Sequence, residues 1–115
     1  MHELSIAMNI LEIVSAACAE GGHEKVEKVR VKVGKASGVM SDALHFSFEC
    51  ARVGTVAGKA VLEVEEVPVG GHCRDCSSDF DVEEKFVLEC PLCGGSSFTV
   101  DRGHELEVTD LEVED

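Results

Sequence analysis

The sequence predicts an α+β protein, a small mixed sheet with two helices, interrupted by an inserted four-cysteine module. Three observations carry this. Apolar residues recur at steps of three and four near residues 4–18 and 41–53, the period of amphipathic helices. Apolar and charged residues alternate near 29–33, 59–67 and 106–113, the period of half-buried strands. Between the last two of these stretches lie two Cys-x-x-Cys pairs, Cys73 with Cys76 and Cys90 with Cys93.

Leu4, Ala7, Leu11, Val14 and Cys18 set the inward stripe of the first helix, with Ile10 and Ala17 beside it, and Gly21-Gly22 end it. Val29, Val31 and Val33 alternate with Arg30 and Lys32 in the first strand, which Gly34 closes. The second helix is expected from Ser41, as N-cap, to about Val53, with Leu44, Phe48 and Ala51 inward. Gly54 and Gly58 bracket a turn before a strand near 59–67, and Pro68, Gly70 and Gly71 mark a boundary. Short strands are expected at 80–82, 86–88 and 98–100. After Gly103 the last strand runs through Leu106, Val108, Leu111 and Val113, and its alternation slips at Thr109-Asp110, which predicts a bulge. Such a strand needs a sheet to pair with, and the nearest one precedes Pro68. Residues 70–103 are therefore expected as a module inserted into a domain built from 1–69 and 104–115. The competing arrangement extends the module's own sheet into the C-terminal strand.

At 115 residues with 44% hydrophobic content, the chain buries only a small core, which a structural metal would help to hold. Five Phe with no Trp or Tyr leave little to stack on bases or sugars. The net charge of −13 repels phosphate backbones and argues against nucleic acid as a partner. No apolar run is long enough to span a membrane. Glu3, Glu12 and Glu20 without a basic opening argue against a secretory signal, so a cytoplasmic protein is expected. In that setting the paired cysteine spacing favours metal over disulfides.

The spacing is Cys-x2-Cys-x13-Cys-x2-Cys. Two residues between thiolates let one tight turn present both sulfurs to a tetrahedral zinc ion at about 2.3 Å. Pro91, Gly94 and Gly95 give the second turn its chain-reversing chemistry. The first lacks glycine and places Arg74 near a doubly negative centre. Four sulfurs leave no open position, so the expectation is a structural Zn(II) in a zinc ribbon. Iron in a rubredoxin-like redox site fits the same geometry and would colour the protein red. Cys18 and Cys50, at helical positions facing or near the core, are expected as core filler.

The second constellation is Met1-His2-Glu3. The Met1 amine, the His2 backbone nitrogen and a His2 imidazole nitrogen can close fused chelate rings, a tetragonal nitrogen set that nickel(II) and copper(II) favour. Glu3 lowers the local potential for a cation. Spacing alone does not separate this opening from an ordinary Met-His start. His45 reads as a polar-face or partly buried helix residue. His72 reads as exposed, with an outer role at the zinc site as the alternative, and His104 as a distant donor. The seven acidic residues from Asp101 to Asp115 suit a solvated strand. No nucleophile–base pair, phosphate loop or open catalytic metal site is legible, so an enzyme is not expected.

Taken in order, Met1-His2-Glu3-Leu4-Ser5-Ile6, Val31-x-Val33-Gly34 with Ser37-x-Val39, Leu44-x-Phe46-x-Phe48-Glu49, Gly54-Thr55-Val56-Ala57-Gly58 before Leu62-x-Val64-Glu65-Glu66, and the two cysteine pairs span essentially the whole chain. This combination resembles the HypA/HybF family of hydrogenase maturation factors. The resemblance implies a nickel metallochaperone that delivers Ni(II) during assembly of the nickel–iron hydrogenase active site. It further implies work with a HypB-type maturation GTPase and the hydrogenase large subunit and, in some members, with urease maturation proteins. The implied nickel site maps onto Met1, His2 and Glu3, with His2 indispensable, and the implied zinc site onto Cys73, Cys76, Cys90 and Cys93. Some relatives add an Asp just before the second helix; Met40 stands there in this chain, with Asp42 close by. The other reading of the chain is a zinc-ribbon adaptor or regulator that binds protein without transferring nickel.

Overall fold

The computed structural model describes residues 3–114. The elements run α1 (Glu3–Glu20), β1 (Val26–Gly34), α2 (Ser41–Ala51), β2 (Val61–Val67), β3 (Val69–Cys73), β4 (Asp79–Val82), β5 (Phe98–Arg102) and β6 (Leu106–Val113). They form two three-stranded sheets, ordered β2-β1-β6 and β4-β3-β5, so the chain is α+β as expected. Among the described residues no helix is long and apolar enough to cross a membrane. The chain divides into two compact units, the first from residues up to 32, 39–65 and from 107 on, the second from 33–38 and 66–106. Residues 33–38 and 66–69 thus group with the cysteines.

In the first unit β1 lies at the centre of its sheet. Val26 N–H donates to the Val56 carbonyl, and in the second unit Lys35 N–H donates to that of Val67, so β1 and β2 run parallel. Gly34 N–H to the Glu105 carbonyl and Glu114 N–H to the Lys25 carbonyl make β1 and β6 antiparallel. A parallel pair needs a crossover, and α2 supplies it. Val29 and Val31 are buried on one face of β1, and Val26 is buried at its start. On the other face Arg30 pairs with Glu63 at 3.0 Å, Asp110 at 2.5 Å and Glu112, while Lys28 reaches Glu63 at 3.3 Å. Arg30 therefore ties the two outer strands to the middle one. These pairs hold the Asp110 and Glu63 carboxyls below the usual carboxylate range, through the Arg30 hydrogen bond at Asp110 and that of Lys28 at Glu63.

The buried stripe of α1 is Glu3, Ala7, Ile10, Leu11, Val14 and Cys18. It begins one residue earlier than the apolar pattern predicts, so Leu4 and Ala17 face solvent. Helix α2 turns Leu44, Ser47 and Phe48 inward and leaves Cys50 exposed, which corrects the filler expectation there. Six residues on from Leu44 is about 240° around a helix, well off the inward face. The N-cap of α2 is Met40 rather than Ser41, and no side chain of its own caps it. The helix ends at Ala51, where Arg52 N–H closes the last turn on the Phe48 carbonyl at 2.9 Å.

In the second unit β3 pairs antiparallel with β4 and β5, and its pairing with β5 shifts register between Gly70 and Gly71. These glycines were expected as a boundary. They lie inside the middle strand, and a Cβ on Gly71 would overlap the Thr99 carbonyl oxygen. Only glycine fits that approach. Residues 86–88 form no strand. Val87 instead packs on a small core of Cys73, Phe80 and Cys90, joined by Cys76, Val82 and Phe98. Phe80 and Phe98 meet edge to face with ring centroids 5.9 Å apart.

Candidate metal centres

Two turns of the second unit bring Cys73, Cys76, Cys90 and Cys93 together, with all four sulfurs within 4.8 Å of one another. Four sulfurs at about 2.3 Å from one tetrahedral zinc ion stand about 3.8 Å apart. The Cys73 and Cys93 sulfurs are 3.7 Å apart, and those of Cys76 and Cys90 are 3.8 Å apart. The donor set therefore fits zinc, with no fifth residue among the described ligand groups.

The turns are built alike. Cys73 N–H donates to the Ser78 carbonyl, and Cys90 N–H to that of Gly95, each at 2.9 Å and each spanning five residues. Both chains must then turn left-handed just after the second cysteine. Gly94 does so at φ 75°, and Ser77 at φ 57°. The absence of glycine from the first turn hid this symmetry. Amides support the sulfurs of the second turn, Leu92 N–H reaching Cys90 and Gly95 N–H reaching Cys93, both at 3.4 Å.

The thiols also repel one another's ionisation. Burial pushes the Cys90 thiol up, but the Leu92 and Cys93 amides and the Cys73 and Cys93 thiols outweigh it and bring it down to about 7. At Cys93 the Gly95 amide pulls down, yet burial and the three neighbouring thiols push the group up to about 12. One sulfur ionises at the expense of another, and a dication among them removes that conflict.

Arg74 is held by hydroxyl groups beside the first turn. Its guanidinium donates to Ser97 Oγ at 3.2 Å and Thr99 Oγ1 at 2.7 Å, so it stitches the first turn to β5. His72 is exposed and its Nδ1 meets Asp79 Oδ1 at 2.9 Å, across the β3–β4 pairing.

In the other candidate centre, Met1 and His2 lie outside the described residues. Glu3 is only 8% exposed, in the first turn of α1. Its Oε2 accepts the Met40 N–H at 3.4 Å, at the start of α2. The carboxylate thus sits at two helix N-termini, whose positive dipole ends stabilise its charge. Pattern reading could not find this link, since Met40 is distant in sequence and contributes its backbone. Asp42 and His104 are exposed, in the first turn of α2 and just before β6, and His45 is half-buried on α2. Cys18 is buried, and its Sγ donates to the His23 carbonyl at 3.1 Å.

Residues 1–113 match the family described as "Hydrogenase/urease nickel incorporation, metallochaperone, hypA". A hydrogenase maturation factor HypA of Chloroflexus aggregans is 44% identical over 113 residues, covering 98% of this chain and 99% of that protein. One of Rhizobium leguminosarum is 40% identical, with the same coverage. The solution structure of the Ni metallochaperone HypA from Helicobacter pylori superposes with a TM-score of 0.69 at 24% identity, covering 98% of this chain and 97% of the other. A second solution structure of a HypA protein gives 0.73 at 24% identity, covering 99% and 97%. At that identity the two structures speak to the fold alone.

Proposed function

Because the chain belongs to the HypA family of hydrogenase and urease nickel-incorporation metallochaperones, we propose that it binds Ni(II) through Met1, His2 and Glu3 and passes it on during nickel–iron hydrogenase maturation. Its receivers are a HypB-type GTPase and the hydrogenase large subunit, and urease maturation proteins are a second outlet. It works in the cytoplasm as a carrier without catalysis.

The observation that supports the terminal site is the placement of Glu3. Two helix N-termini oppose a bare dication nearby. A buried carboxylate between them offsets that field. Nitrogen donors on the two residues before it complete a tetragonal set suited to nickel. A site at a chain end can open by moving one or two residues, which suits a protein that must release its cargo.

The Cys73, Cys76, Cys90 and Cys93 set would hold zinc, whose contribution there is folding energy rather than chemistry, since four thiolates leave no open position. The test is nickel titration of the zinc-loaded protein beside His2→Ala. At least about tenfold weaker nickel binding, worth ~1.4 kcal/mol, is expected with zinc content unchanged. Equal affinities would remove the terminal site and leave a zinc-ribbon adaptor.

A further inference from the structure

The segment 83–94 of the second unit carries three apolar side chains that the core does not use. Phe86 is 62% exposed, Leu88 80% and Leu92 64%. Val87 between the first two packs inward on the core around Cys73, Phe80 and Cys90. Burial alternates along this stretch, so Phe86 and Leu88 turn away from the core on either side of it. Leu92 sits in the second cysteine turn, its N–H on the Cys90 sulfur. A lone exposed leucine is ordinary, but three large apolar residues within seven positions are not. Exposing each forgoes stabilisation that a polar side chain in the same loop would not need.

The surroundings say what covers them. Glu83, Glu84 and Glu89 lie in the same segment against one base, Lys85. The Asp75 side chain lies against Gly95, at the second turn. The whole chain carries −13. An apolar tip with an acidic rim repels a second copy of itself, an anionic lipid surface and nucleic acid alike. It complements a protein surface that offers an apolar cleft bordered by Lys and Arg.

We propose that Phe86, Leu88 and Leu92 form a docking tip for a partner protein with a basic-rimmed apolar cleft. The tip shares no residue with the proposed Met1, His2 and Glu3 site, and its test is read independently of that site. Its anchor is Leu88, the most exposed of the three, and the acidic rim sets which partner is accepted.

The test titrates the zinc-loaded protein with two synthetic peptides that share apolar residues at the same spacing. One is flanked by lysines, the other by glutamates, and amide NMR shifts report contact residue by residue. The lysine-flanked peptide should shift residues 83–94 and the glutamate-flanked peptide should not. Leu88→Ser should weaken the first about tenfold, as should raising the ionic strength to ~1 M. Since Leu88 is exposed, this variant should keep its zinc and its nickel affinity, and both are measured as the folding control. Equal binding of the two peptides, no binding of either at millimolar concentration, shifts centred elsewhere, or indifference to Leu88→Ser would each overturn the proposal.

Discussion

In the first unit α1 and α2 pack on each other and bury Ala7, Leu11, Val14, Leu44 and Phe48, while β1 buries Val29 and Val31. In the second, the buried cluster at the cysteine turns is Cys73, Phe80 and Cys90, two of which are candidate metal ligands. One unit rests on side-chain packing, and the other on two cysteine turns and close backbone contacts. The contrast bears on function. On the proposed reading, a unit folded by its own core lends Met1, His2 and Glu3 to a transient cargo, whereas a unit that a zinc ion would hold together would have to keep that ion.

The largest expected effect separates the two units. Zinc withdrawal by a strong chelator, or Cys73→Ser, should unfold the β4-β3-β5 sheet, because a structural zinc contributes on the order of 10 kcal/mol to such a module. The helical circular dichroism of α1 and α2 should persist. Loss of both in one step would erase the contrast. Next in size, Gly71→Ala should destabilise the second unit by about 3 kcal/mol, since its Cβ meets the Thr99 carbonyl oxygen and backbone must shift. Zinc-dependent thermal melting measures this, and an unchanged midpoint would mean that the β3–β5 register can relax.

A smaller effect belongs to the first unit and depends on pH. Asp110 and Glu63 have lowered folded-state values, so their contribution is complete above the ordinary carboxylate range near ~4 and fades as pH falls through the depressed values. The groups are exposed and the loss should be modest. Urea denaturation along an acid series should show this extra step in the wild type and a reduced one in Arg30→Gln. An identical acid profile in both would show that the charge ladder on the sheet contributes nothing.

The cysteine site could be read from the chain because its ligands come as two local turns, each declared by a two-residue gap. Its symmetry could not, because Ser77 takes a left-handed conformation that its residue type does not announce. The stripe on α1 was read one residue late for a related reason. A glutamate counts as polar until the Met40 amide that satisfies it is seen. The pattern Phe86-Val87-Leu88 was misread as a strand, since a loop that anchors one apolar residue and exposes its neighbours alternates like one. That the last strand joins the first sheet was legible because a strand of that length cannot stand alone.

That pairing has a consequence for synthesis. β6 is translated after all four cysteines, yet it pairs with β1, which is made long before them. The first sheet therefore gains its third strand only after every residue of β3, β4 and β5 has been made. Closing that sheet means bringing together strands separated by the whole cysteine module, and a folded module shortens the effective loop that has to close.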